Sequence, residues 1–198
     1  MIIEYAFIAL AYLCGSLSSA VIVCRAMGFG DPRREGSKNP GATNVLRLYG
    51  KIPAALTLAG DVLKGFLPVF LASLFPVSAG VLALTSFAAF LGHLYPLYFG
   101  FRGGKGVATL IGILFGIYWL LGTAFVLTWF IVALLFRISS LAALTGAALV
   151  PVYTLYLVQS IHIVAATTLM AALLFWRHRQ NIRNLIDGTE DKIGTDKH

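Results

Sequence analysis

Between Gly106 and Arg137 the chain runs for thirty residues, 107–136, without one charged side chain. A transmembrane helix needs about 20 apolar residues. The run is therefore one very long span or two short ones turning near Gly122, and it has no place on a soluble surface. The rest of the chain agrees: 59% of its 198 residues are hydrophobic, 12% are charged and its mean hydropathy is +0.85, which excludes an ordinary globular domain. We expect an all-α, polytopic membrane protein in which residues 1–198 form a single membrane-embedded domain.

Other apolar runs fill in the architecture. Residues 5–24 are preceded by Glu4 and by no Lys or Arg, so the positive region of a secretory signal is missing and a retained first helix is expected. Gly15, Ser16, Ser18, Ser19 and Ala20 give it a small-residue packing face. Cys14 and Cys24 fall in the same run without metal or redox spacing and read as small core residues. Residues 52–75 form a second helix interrupted by Asp61 and Lys64, whose i,i+3 spacing lets them pair on one face, with ligand contact as the alternative. Gly65 and Pro68 give that helix freedom to bend. Runs at 79–91, 141–158 and 163–176 follow. The turn at 159–162 carries His162, expected to be exposed and without catalytic duty.

Charge sets the topology. Cations occur at 25–51, 102–105, 137 and 177–183 and again near the C-terminus, whereas the turns near 76, 122 and 160 have none. If every basic block is cytoplasmic, residues 52–101, 106–136 and 138–176 each cross twice and the first helix once. The expectation is seven transmembrane helices, N-terminus outside and C-terminus cytoplasmic, with two short, tilted helices inside 106–136. The net charge of +7 then reflects topology and attraction to anionic headgroups or substrates, with no nucleic acid as partner.

This parity brings the polar segments to one face. In residues 92–109 five glycines accompany Arg102 and Lys105. Backbone N–H groups at glycines approach an anion closely, and a helix starting near Val107 adds its dipole. It is not a Walker loop, because Gly106 follows Lys105 and Phe99 stands where the first glycine belongs. A connecting loop whose glycines only permit close packing is the bland alternative. Residues 25–51 hold six of the fifteen cations. There Ser37, Asn39, Thr43 and Asn44 crowd around Gly36 and Gly41 ahead of Arg47, a second candidate anion site. Arg137 precedes Ser139 and Ser140, and residues 176–190 form a basic tail. No close carboxylate pair suggests a metal, and no cofactor is expected.

Gly-Ser-Lys-Asn-Pro-Gly-Ala-Thr-Asn at 36–44 with Arg47, Gly-His-Leu-Tyr-Pro at 92–96 with Gly-Gly-Lys-Gly-Val-Ala-Thr at 103–109, and Arg-His-Arg-Gln-Asn-Ile at 177–182 resemble the bacterial acyl-phosphate:glycerol-3-phosphate acyltransferase (PlsY) family. The resemblance covers essentially the whole chain. It implies a multi-pass enzyme of the bacterial inner membrane that moves a fatty acyl group from acyl-phosphate to the 1-hydroxyl of glycerol 3-phosphate. Lysophosphatidic acid and inorganic phosphate would be the products, in phospholipid synthesis, with membrane lipids as surroundings. It further implies Ser37, Arg47, Lys105, His178 and Asn181 around glycerol 3-phosphate, and Thr43, Gly103, Gly104, Ser139 and Ser140 around the acyl-phosphate headgroup. Asn39 and Asn44 would bind substrate or brace their own loop.

The residues fit such chemistry. Both substrates carry phosphate, which calls for Lys, Arg, glycine amides and hydroxyls, while the acyl tail needs an apolar route. The His-x4-Asp dyad of thioester-dependent glycerophosphate acyltransferases is missing, since Tyr98, Thr167 and Arg183 stand five positions beyond His93, His162 and His178. Acyl-phosphate is already activated, so positioning and charge stabilisation suffice. The glycerol 3-phosphate dianion, with a second pKa of about 6, is expected to help remove the hydroxyl proton; His178 as general base is the alternative. A transporter for a phosphorylated solute is the rival class, weakened by the lack of an internal repeat. A membrane scaffold leaves the phosphate-suited loops unexplained.

Overall fold

The computed structural model describes residues 2–194, and every regular element among them is helical. In order these are α1 (Ile2–Gly15), α2 (Ser19–Ala26), α3 (Ala42–Tyr49), α4 (Lys51–Ser73), α5 (Ala79–Leu94), α6 (Val107–Ile117), α7 (Trp119–Phe136), α8 (Ser139–Leu157), α9 (Ile161–Arg177) and α10 (Arg179–Ile186), with a 3₁₀ turn at Leu97–Phe99.

Four stretches are long and apolar enough to cross a bilayer, Lys51–Ser73, Ala79–Phe99, Trp119–Phe136 and Ser139–Leu157. Two bent pairs raise the candidates to six: Glu4–Gly15 with Ser19–Ala26, at 47°, and Ile161–Arg177 with Arg179–Ile186, at 61°. The expected seventh would have to be α6, which has 11 residues and, at 1.5 Å per residue, reaches only about 16 Å. The fold is that of a multi-pass helical membrane protein. Side chains that would be a liability in water, such as Leu134 and Leu135 at 69% exposure, face outward on α7 as lipid-facing residues do.

Two breaks differ from expectation. The uncharged run divides at Tyr118, which is extended (φ −160°, ψ 125°) between α6 and α7, and not near Gly122. Gly122 lies inside α7, where an added Cβ would strike the Phe115 ring, so it serves close contact instead of a turn. The first apolar run is likewise split into α1 and α2 at residues 16–18. There the Leu17 carbonyl accepts a hydrogen bond of 2.6 Å from Lys64 Nζ, a partner from another helix that satisfies a carbonyl the break has freed.

Small residues set the helix spacing, as lipid-embedded packing requires. Cβ atoms at Gly15 and Gly92 would collide with the backbone of α5 and α1 respectively, and those at Gly65 and Gly112 with the backbone of α6 and α4. Gly65 is therefore a contact point on a continuous α4, which also accommodates Pro68. Phe90, Leu94, Leu110, Ile113, Phe125 and Met170 fill the core between α5, α6, α7 and α9. Cys14 and Cys24 are free thiols, the latter buried. His162 is exposed.

Candidate active site

The loops after α2 and α5 and the α9–α10 junction meet at one end of the bundle. Asn44, 2% exposed in the first turn of α3, organises the first loop. Its Nδ2 donates to the carbonyls of Pro32 (2.9 Å) and Glu35 (3.2 Å), and its Oδ1 accepts from the Ser37 backbone N–H at 2.9 Å. The amide is thus occupied within the loop, which favours the bracing role over direct ligand contact. Arg33 ties this loop to the next. Its guanidinium pairs with Asp31 at 2.7 Å, donates to the Phe99 carbonyl at 2.9 Å and lies 5.7 Å from the Phe99 ring centre. That guanidinium holds the Asp31 carboxyl below the usual carboxylate range.

Gly103 and Gly104 are buried between two partners. On one side their Cα atoms press on His93, so closely that a Cβ at either position would overlap its ring or carbonyl. On the other, Arg177 donates Nη2 to the Gly103 carbonyl (2.6 Å) and Nε to that of Gly104 (3.0 Å). With the carbonyls so engaged, Lys105 projects into a cleft of about 250 Å³ lined also by Ser37, Lys38, Asn39, Gly103, Arg177, Arg179 and Gln180. Burial, with Arg47 and Arg177 nearby, lowers the Lys105 ammonium pKa, and Glu190 partly offsets this.

Lys105 also begins a polar chain. Its Nζ donates to Asn181 Oδ1 (2.6 Å), Asn181 Nδ2 donates to Glu190 Oε1 (2.6 Å), and Ser140 Oγ donates to the same oxygen (2.6 Å). Arg47 pairs with the neighbouring Asp191 at 3.1 Å, and the Ile193 N–H donates to the Arg137 carbonyl at 2.6 Å. The tail after α10 thereby folds back over α3 and the start of α8.

His178, 3% exposed at the α9–α10 bend, shares a 2.8 Å hydrogen bond between Nδ1 and the Leu174 carbonyl. With Nδ1–H as donor to that carbonyl, Nε2 is left as an acceptor. Burial, reinforced by Lys105 and Arg177 and opposed by the Leu174 bond and Glu190, pushes its pKa down to about 4.

The expected residues therefore divide. Ser37, Asn39, Gly103 and Lys105 line the cleft; Lys105, Asn181 and Ser140 form the polar chain; Arg47 joins through Asp191. Thr43 is exposed on α3 and Ser139 half-buried at the start of α8, neither lining the cleft. Arg177 stands in the sequence within the 177–182 motif and among the topology cations without a contact of its own, and Glu190 and Asp191 carry no expected role. Two acids placed together in a basic tail were the available clue. Among the described residues no cluster of His, Cys, Asp and Glu has metal-binding geometry.

The fold and the site define a multi-pass helical membrane protein with a polar cleft lined by a glycine-rich loop and by lysine and arginine side chains. The family model described as "Glycerol-3-phosphate acyltransferase" matches residues 5–188, and the chain belongs to that family. A glycerol-3-phosphate acyltransferase of Hydrogenovibrio crunogenus is 56% identical over 193 residues, spanning 96% of this chain and 92% of its own. One of Methylococcus capsulatus is 54% identical over 98% of both chains. Among solved structures, the glycerol 3-phosphate form of PlsY, an integral membrane glycerol 3-phosphate acyltransferase, superposes with a TM-score of 0.92 at 36% identity, covering 97% of this chain and 96% of that one. Its lysophosphatidic acid form gives a TM-score of 0.89 at 35% identity, with the same coverage.

Proposed function

We propose that this protein transfers a fatty acyl group from acyl-phosphate to the 1-hydroxyl of glycerol 3-phosphate, releasing lysophosphatidic acid and inorganic phosphate. The observation that carries the reading is the cleft itself, where Ser37, Lys105 and Arg177, far apart in sequence, face one space of about 250 Å³. Family membership and the ligands named for the solved neighbours, glycerol 3-phosphate and lysophosphatidic acid, support the acceptor and the product.

In the proposed reaction the 1-hydroxyl oxygen attacks the acyl carbonyl carbon. The bond from that carbon to the phosphate oxygen breaks, phosphate leaves with the electron pair, and the hydroxyl proton passes to a phosphate oxygen. Lys105, Arg47 and the glycine amides would offset the negative charge. An anhydride needs no covalent enzyme intermediate, and a glycerol 3-phosphate dianion with a second pKa of about 6 is a stronger base than an imidazole pushed down to about 4. His178 then serves as a neutral acceptor that orients the hydroxyl through Nε2. Ser37 and Asn181 would complete the glycerol 3-phosphate contacts, and Ser140, Ser139 and Thr43 those of the acyl-phosphate.

We place residues 1–198 as one domain in the bacterial inner membrane, with the cleft at its cytoplasmic face. The test supplies purified protein with acyl-phosphate and labelled glycerol 3-phosphate, without acyl-CoA or acyl carrier protein. Stoichiometric lysophosphatidic acid and phosphate are expected. Flux of glycerol 3-phosphate into proteoliposomes without acylation would instead identify a carrier.

A further inference from the structure

Beneath the glycine loop lies a buried charged cluster that the proposed chemistry does not use. Asp61 on α4 and His93 at the end of α5 are 2% and 5% exposed. Lys64 Nζ stands 2.8 Å from Asp61 Oδ1, and His93 Nδ1 3.7 Å from the same oxygen. Lys64 spends its aligned hydrogen bond on the Leu17 carbonyl. The Asp61 Oδ1 and His93 Nδ1 atoms, which face one another, have no aligned hydrogen-bond partner among the described residues. A buried ion pair is stable only when further polar groups satisfy its remaining lone pairs, and the His93 imidazole, with Nδ1 3.7 Å from Asp61 Oδ1, is a further group turned toward this carboxylate.

The opposite edge of that imidazole carries the consequence. Nε2 packs on the Gly104 Cα, where a Cβ would overlap it, and the Gly104 N–H donates to the His93 carbonyl at 3.3 Å. The next residue is Lys105. A rotation of the His93 ring would therefore displace the floor of the loop at the point where Lys105 leaves it.

We propose that Asp61 is a positioning residue for the glycine loop, acting through His93. The carboxylate, 3.7 Å away, favours the Nδ1–H tautomer and the ring plane through its charge, the ring supports Gly104, and the loop presents Lys105 to a phosphate. The last link rests on the acyltransferase reading above, with the loop cradling the acyl-phosphate headgroup. The link from carboxylate to ring does not.

The experiment has two readouts. Asp61→Asn leaves Lys64 as an uncompensated buried charge, so the neutral pair Asp61→Asn/Lys64→Gln is the working variant. Nitrogen NMR of histidine-labelled protein in detergent, with the His93 signals identified by their loss in His93→Gln, should show Nδ1 protonated and Nε2 bare in the native chain. In the neutral pair the two nitrogens should be mixed or exchanged. In the acyl-phosphate assay, His93→Gln and the neutral pair should each raise KM for acyl-phosphate roughly 10–100-fold, the range seen when an orienting partner is removed, with kcat changed less. The triple variant should be no worse than the poorer of the two, because both act through one ring.

A merely structural role would lower the active fraction, and so kcat, at constant KM. An unchanged His93 tautomer in the neutral pair, or losses that multiply in the triple variant, would overturn the proposal. If the native protein makes no lysophosphatidic acid, the acyltransferase reading fails, and the NMR result alone decides whether Asp61 sets the His93 ring.

Discussion

At the scale of single residues the site combines a partly buried ammonium, Lys105, with a suppressed imidazole, His178. Lys105 is the side chain shared by the cleft and the Asn181–Glu190 chain. Lys105→Ala should lower kcat/KM roughly 10²–10³-fold, as loss of one charge-stabilising donor does, while the protein stays monodisperse by size exclusion. Arg47→Ala should lower turnover strongly as well, read in the same assay. His178 makes a prediction with a sign. Its folded pKa is about 4, against 6.5 for a free side chain, so between those values the unfolded chain binds more protons than the folded one. The neutral ring's contribution to stability is present above pH 6.5 and lost as pH falls toward 4, on the order of 3 kcal/mol in all. His178→Gln should flatten the unfolding midpoint against pH across that window, measured by thermal scans in detergent. In the pH–rate profile the limb near 6 should survive His178→Ala if, as proposed, it belongs to the substrate phosphate; its specific loss at unchanged phosphate affinity would assign the base to His178.

At the scale of elements, α4 and α6 approach so closely that Gly65 and Gly112 each lie against the partner's backbone. A methyl there cannot be absorbed by side-chain rotation. Gly65→Ala and Gly112→Ala should each cost about 1–3 kcal/mol, seen as a lower midpoint of thermal unfolding. Gly50→Ala, with no atom near the added Cβ but φ at +90°, should show only backbone strain. The same glycines explain what was legible in the sequence. Run lengths and charge gaps located α4, α5, α8 and α9, and the Asp61–Lys64 spacing announced their pairing at 2.8 Å. The division at Tyr118 falls two residues past Gly116, which packs on α4, whereas Gly122, the apparent punctuation, admits Phe115. The split between α1 and α2 involves Lys64, forty-seven residues from the Leu17 carbonyl it bonds, and no local rule reaches that far. In the site, Ser37, Lys105 and Asn181 were readable from residue type. Glu190 was not, because an acid in a basic tail reads as solvated charge until the fold sets it against Ser140 and Asn181.

At the scale of the whole molecule, the cleft exists only if loops separated by more than a hundred residues share one side of the bilayer. Arg33 reaching Phe99, Arg177 reaching Gly103 and Gly104, and Arg47 reaching Asp191 are contacts that no pair of segments on opposite membrane faces could make. The proposed topology takes its crossing parity from that convergence, with the short α6 and α7 returning the chain to the side from which it left. Single cysteines at exposed Lys38, Arg102, Arg137 and Arg183, introduced after both native cysteines are replaced, should react with a membrane-impermeant maleimide only from the cytoplasmic side of sealed vesicles. Cysteines at Pro76 and Gln159, also exposed and lying in the cation-free turns, should react only from the other. Labelling of Arg102→Cys and Arg183→Cys from opposite sides would separate Lys105 from Asn181. It would thereby refute the cleft and the proposed orientation of the termini together, whereas agreement at all six positions fixes an even number of crossings for 106–136 despite the 11 residues of α6.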